Sequence, residues 1–246
     1  MNTDTSGSQT PIFVVTLPGD DARRAPLLAQ LDQMGLDCEL LFGVDGRAGL
    51  PPEYEDMVDR ERARRKYRRD LSDGELACAL SHLNVYREIV RRDLQAAIVL
   101  EDDAILTRSF AELMTTNPVG PGDLVLFYHS HARVARLGAL ELLSGIWARR
   151  LLLPACGATA YLIARNAAET LQGGEEPVSD VADWPQCADG LEAWVLEPQI
   201  VEHPEQGEGA SHLRAGRGSV RSSPCRFFRR DFWRRWFLKR RAQRIS

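Results

Sequence analysis

Ala96-Ala97-Ile98-Val99-Leu100-Glu101-Asp102-Asp103 is the stretch on which the reading of this chain turns. Five apolar residues make a run of strand length, and three acids follow at once. Carboxylates crowded at the end of a strand repel one another, and desolvating them is costly. A divalent cation removes that conflict, and in open α/β sheets the carboxyl ends of strands are where ligands bind. Hard oxygen ligands suit Mg2+ or Mn2+. Side chains alternate along a strand, so Glu101 and Asp103 are expected on one side and Asp102 on the other. A metal held there can grip a diphosphate and stabilise charge on a leaving group. The plainer alternative is that Asp102 or Asp103 caps the next element.

Upstream, Ile12-Phe13-Val14-Val15-Thr16-Leu17 reads as a buried strand and Pro18-Gly19 as a turn. Leu27, Leu28, Leu31 and Met34 recur at helical spacing, with Gly35 at the stop. Cys38 to Phe42 is a second strand. Strand, helix, strand in that order predicts a parallel α/β sheet. Residues 51–71 are charged and read as a solvated helix or loop. Ser72 and Glu75 fit a capping box, and Leu76, Ala79, Leu80, Leu83, Tyr86 and Val90 line one face of the helix that follows. Glu75 and His82 fall together at the margin of that face. Downstream, residues 123–128 and 159–163 read as strands, and 165–171 as a short helix.

The chain has 246 residues, 44% of them hydrophobic and 27% charged, which suits one soluble domain with tails. We expect a flexible leader over 1–11, a catalytic domain over 12–213 and a basic aromatic tail over 214–246. The formal net charge of −4 hides an asymmetry, because from Arg214 onward twelve Lys and Arg accompany a single acid, Asp231. In that tail Phe228, Phe232 and Trp236 form the clearest apolar arc. Arginines interleaved with aromatics suit an anionic membrane surface, whereas nucleic acid is not expected as a partner. Residues 1–11 lack the pattern of a signal peptide and no apolar run reaches membrane-spanning length. The expected place is therefore the cytoplasm, with peripheral contact on the inner face of the cytoplasmic membrane. Five cysteines without C-x-x-C spacing argue against both a disulfide framework and a zinc knuckle.

Several segments together resemble glycosyltransferase family 25, the lipooligosaccharide-type galactosyltransferases related to collagen galactosyltransferase domains. They are Val14-Val15-Thr16-Leu17 through Arg23-Arg24; Val44-Asp45-Gly46; Gly74-Glu75-Leu76-Ala77-Cys78-Ala79-Leu80-Ser81-His82; Ile98 to Asp103; Gly157-Ala158-Thr159-Ala160-Tyr161; Pro177-Val178-Ser179-Asp180; and Pro204, Gln206 and Ser211. Their shared order carries the resemblance, which covers residues 12–214. It implies a GT-A-like nucleotide-diphospho-sugar transferase fold, with a mostly parallel central sheet flanked by helices. It also implies a UDP-sugar donor, a Mn2+ or Mg2+ ion, inversion at the anomeric carbon, and a glycan or glycolipid acceptor such as lipooligosaccharide. The hexose moved is expected to be galactose. A non-catalytic protein that binds glycan or nucleotide sugar on the same fold is the alternative.

Metal ligands are expected at Glu101 and Asp103, with His212 as a late third. Donor contacts are expected from Thr16, which stands where the family commonly has Asn, and from Arg23, Arg24, Asp45, Ser81, His82 and Asp102. Inversion by direct displacement needs a base for the acceptor hydroxyl. Asp180 and Asp183 are both candidates, because Ser179 is inserted in the Pro-Val-Asp element, and Glu75 is a further acid–base candidate. Pro18-Gly19-Asp20-Asp21 is acidic where a nucleotidyltransferase would present donors to a triphosphate, which ranks that activity low.

Overall fold

The computed structural model describes residues 10–116, 120–153, 155–183, 190–204 and 238–245. The amino-terminal half runs β1 (Ile12–Thr16), α1 (Asp21–Gln33), β2 (Glu39–Phe42), α2 (Arg60–Tyr67), α3 (Asp73–Arg91), β3 (Ala96–Glu101), β4 (Ile105–Leu106) and α4 (Arg108–Thr115). It continues with β5 (Leu124–Leu126), β6 (Ala132–Ala135), β7 (Leu140–Leu143), β8 (Ile146–Leu153), β9 (Ala160–Ala164), α5 (Arg165–Glu175), β10 (Ala193–Glu197), β11 (Val201–Glu202) and β12 (Ala242–Ile245).

The sheet follows the order β12-β6-β8-β10-β5-β9-β3-β1-β2, with β7 hydrogen-bonded beside β8. From β2 across to β10, five of six strands point the same way: β1 pairs in parallel with β2 and β3, and β5 with β10. The exception is β9, wedged antiparallel between β3 and β5. The α/β class and the mostly parallel central sheet are as expected from the opening strands. The hairpins of β6, β7 and β8 extend the sheet with antiparallel pairings.

Alternation along the central strands explains why helices cover both faces. Phe13, Ala97 and Val99 turn to one cluster with Leu76, Leu80, Leu83, Tyr86 and Leu171. Ile12, Val14, Ile98 and Leu100 turn to the other, with Leu27, Leu31, Phe110 and Phe127. Leu76, Leu80, Leu83, Tyr86 and Ile89 are each at most 1% exposed, so α3 is fixed chiefly by burial. Each such side chain contributes about 1.5–3 kcal/mol on leaving water. The helix starts where the sequence places it, because Ser72 and Glu75 form the reciprocal capping box.

Parallel pairing brings the carboxyl ends of β1, β3, β5 and β10 to one rim, together with the start of β9. The last residues of the stretch expected as a tail, Ala242–Ile245, pair antiparallel with β6 and bury Ala242 and Ile245. Phe228, Phe232 and Trp236 lie outside the described residues.

Candidate functional site

The register of β1 against β3 builds the centre of the rim. Val15 stands opposite Glu101, so Thr16 comes level with Asp102. The Thr16 hydroxyl donates to Asp102 Oδ2 at 2.7 Å. The chain turns after Glu101, with Ala104 N–H donating to the Glu101 carbonyl at 3.1 Å. Arg23, from the first turn of α1, then spans both aspartates: its Nε donates to Asp102 Oδ1 at 2.6 Å and its Nη2 to Asp103 Oδ2 at 2.5 Å.

A second short pairing fixes what stands beside Asp103. β11 runs antiparallel to β4, with Glu202 opposite Ile105, so His203 comes level with the turn. His203 Nε2 lies 3.3 Å from Asp103 Oδ2, and its ring stacks obliquely on Tyr128 with centroids 5.7 Å apart. Burial opposes the charge on Asp103, but the His203 contact and the Arg23 charge outweigh it and lower its pKa. The same contact with Asp103 raises the pKa of His203. Asp103 Oδ1 is buried and accepts no hydrogen bond from another residue, which leaves a negatively charged acceptor short of a partner.

Glu101 has partners of its own. Its Oε2 accepts from Thr159 Oγ1 at 3.2 Å, and its Oε1 lies 3.4 Å from His82 Nε2. His82 is buried and shares its other nitrogen, Nδ1, with the Tyr161 hydroxyl at 2.8 Å. Among the described residues, Glu101, Asp103 and His203 bring one ligand atom each within 4.8 Å of the others. Two carboxylates and an imidazole fit Mn2+ better than Mg2+, which prefers an all-oxygen shell.

Glu101 and Asp103 converge while Asp102 turns to Thr16, but the strand ends at Glu101, so the two aspartates lie in a turn and share Arg23 rather than alternating along a strand. His212, the expected late third ligand, lies outside the described residues, and the histidine beside Asp103 is His203. Only the two-residue pairing of β11 with β4 brings His203 in, and so short a strand leaves no periodic signal. Thr159 and Tyr161, two apart just before and within β9, share one face of the sheet and reach Glu101 and His82 from it.

Other expected residues are tied elsewhere. Arg24 bonds Asp21 and the Leu17 carbonyl and lies over the Phe42 ring. Asp45 accepts from Arg47, which also reaches Asp20, so one arginine ties the loops after β1 and β2 together. Ser81 bonds Val44 N–H at 2.9 Å and the Ala77 carbonyl at 2.7 Å, pinning that second loop onto α3. Gly46 permits the approach, because a Cβ there would stand 2.6 Å from the Asp73 carbonyl oxygen. Glu75 is 3% exposed and accepts from Arg69 Nη1 and Nη2, at 2.7 and 2.6 Å, as well as from the cap. Asp180 is bonded by Lys66 and by the Tyr67 hydroxyl. Asp183 accepts from Gly157 N–H at 3.0 Å, and its charge acts on Tyr128 together with those of Glu101 and Asp103.

The profile of "Glycosyltransferase family 25 (LPS biosynthesis protein)" matches residues 9–136, more than half of the chain. The chain belongs to glycosyltransferase family 25. Relatives in the family include a "Glycosyltransferase 25 family member" of Anopheles gambiae, 31% identical over 128 residues, or 49% of this chain and 22% of that protein. "Procollagen galactosyltransferase 1" of Danio rerio is 33% identical over 103 residues, 37% of this chain and 16% of that protein. "Inactive glycosyltransferase 25 family member 3" of Mus musculus is 30% identical over 110 residues, 40% and 17% of the two chains. The matches span about a fifth of the length of these family 25 relatives. Among solved structures, the "mannose-1-phosphate geranyltransferase" of Thermus thermophilus aligns over 76% of this chain and 73% of its own, at 12% identity and a TM-score of 0.32. That likeness is too slight to bear on function. No helix among the described residues is long and apolar enough to cross a membrane.

Proposed function

We propose that the chain is a metal-assisted, inverting glycosyltransferase that moves galactose from UDP-galactose to a cell-surface glycan such as lipooligosaccharide. One observation carries this reading: Glu101, Asp103 and His203 converge at the carboxyl rim, and Asp103 Oδ1 is left buried without a partner. The family description and the galactosyltransferase name of the Danio rerio relative support the sugar and the acceptor class. Mn2+ held by these three residues would supply charge stabilisation for the departing diphosphate. Thr16 and Arg23 hold Asp102 and Asp103 in place before any ligand arrives, a form of preorganisation. For the acceptor proton we favour Asp183 over Asp180, because the charge of Asp183 acts on Tyr128 together with those of Glu101 and Asp103. The basic tail docks the enzyme on anionic lipid; β12 lies beside the hairpin that exposes Leu137 and Trp147.

A non-catalytic family member is the second reading, favoured by the inactive mouse relative and by the arginine that already compensates Asp102 and Asp103. UDP release from a panel of UDP-sugars with Mn2+, with and without acceptor glycan, separates the two. We expect turnover that falls at least about 100-fold in Asp103→Ala and Asp183→Asn with both variants folded. No UDP release from any donor sinks the enzyme reading. Full activity in Asp183→Asn sinks the choice of base.

A further inference from the structure

Glu101 belongs to a second group of potential ligands, one that does not include His203. Cys78 and His82 stand one turn apart on α3, and among the described residues Cys78 Sγ, a His82 ring nitrogen and a Glu101 oxygen all lie within 4.8 Å of one another. Tetrahedral zinc, with Zn–S about 2.3 Å and Zn–N about 2.0 Å, wants ligand atoms about 3.5 Å apart, within reach of small side-chain adjustments. His82 is already set up as a ligand. Its Nδ1 is engaged by the Tyr161 hydroxyl, and Nε2 is the nitrogen that faces Glu101. Fixing one imidazole nitrogen in this way orients the other toward a metal. Thr159 steadies the Glu101 carboxylate from its far oxygen. Cys78 is a free thiol that keeps part of its surface open. Burial first, and then the negative charges of Glu101, Asp183, Asp103 and Glu75, push its thiol pKa well up, and the same charges favour an incoming cation.

We propose that Cys78, His82 and Glu101 form a sulfur-containing cation site that takes Zn2+ or Cd2+ and, by claiming Glu101, antagonises the ion held with Asp103 and His203. Softness separates the two sites: thiolate and imidazole select zinc and cadmium, whereas the carboxylate-rich group suits Mn2+. On binding, the thiol proton passes to solvent and the sulfur bonds the metal, so no oxidant or reductant takes part. The antagonism rests on the transferase reading above; binding at Cys78 does not.

The test is a Cd2+ titration of the reduced, metal-free full chain, followed by sulfur-to-cadmium charge-transfer absorbance in the ultraviolet. We expect the wild type to show a saturable band that Zn2+ displaces. Cys78→Ser, a near-isosteric change, should lose that increment while keeping its melting temperature, with the other four cysteines as internal background. His82→Gln should weaken the affinity at least about 10-fold with the thiol retained. Superimposable titrations of wild type and Cys78→Ser overturn the site. In turnover supported by Mn2+, Zn2+ should inhibit the wild type at least about 10-fold more strongly than Cys78→Ser, by the same ligand-loss argument. Equal inhibition overturns the antagonism. A cadmium band without any turnover leaves the site standing and removes only the transferase reading.

Discussion

Replacing Arg23 by Gln tests whether the acidic rim is held together by charge. Arg23 is the cation on both aspartates, and the Asp102 and Asp103 side chains keep only 8% and 13% of their surface. Removing one partner of a buried pair costs about 3–5 kcal/mol, because the remaining charge stays buried and uncompensated. Arg23 itself keeps 28% of its surface, which places the expected loss near the lower end, about 3 kcal/mol. For a chain of this size, 1 kcal/mol moves the melting temperature by about 2–4 °C, so the metal-free variant should melt about 6–12 °C lower at pH 7. Arg23→Lys should fall between, since a single ammonium cannot fork across two carboxylates. Acid should shrink the difference. The depressed pKa of Asp103 means its stabilisation is present above about pH 4 and fades as pH falls through the native value. Saturating Mn2+ should return part of the loss by supplying a replacement cation. Differential scanning calorimetry measures all of these. A drop below about 2 °C in the metal-free Arg23→Gln protein would refute the reasoning, because His203 and Thr16 would then be holding these carboxylates without the arginine.

His203 gives the opposite pH signature. Its pKa is raised by Asp103, so its share of stability is complete below about pH 6.5 and is lost as pH rises through the native value. His203→Gln should therefore cost about 1 kcal/mol more at pH 6 than at pH 8.5 in metal-free protein, read as a shift of about 2–4 °C in the melting difference. Over the same span Mn2+ should bind the wild type more tightly, because a ligating imidazole must be neutral; calorimetric titration at the two pH values checks it. Gly46→Ala should destabilise by about 1–3 kcal/mol, since its Cβ would meet the Asp73 carbonyl oxygen at 2.6 Å and Ala77 Cβ at 2.7 Å. A urea midpoint unchanged from wild type would show that the loop yields without cost.

What the sequence disclosed follows the range of the interactions involved. β1, β3 and the capped start of α3 were legible because a few adjacent residues determine them: an apolar run, and a serine three places before a glutamate. The acidic triplet announced itself through the conflict between charge and burial. β9 was legible as a strand, but its direction was not, because parallel and antiparallel neighbours demand the same buried apolar run. The strands of the β6–β8 hairpins drew no reading, since Arg133, Arg149 and Arg150 interrupt their apolar pattern. The partners that engage Asp180 and Arg23 sit 114 and 79 residues away in sequence. No local pattern reports such pairings, and side chains read as candidates for chemistry proved to be anchored by distant opposite charges.

The placement of Ala242–Ile245 has a practical corollary for anyone trimming the protein. A version cut back before Ala242 would leave β6 with a bare row of amide and carbonyl groups, an open template onto which another polypeptide can add itself. Its apolar inward side, Ala132 and Val134, would lose the cover of Ala242 and Ile245 as well. Such a shortened protein should self-associate and come out of solution at concentrations where the intact one stays dispersed. Affinity handles are better appended beyond the final strand than substituted for it.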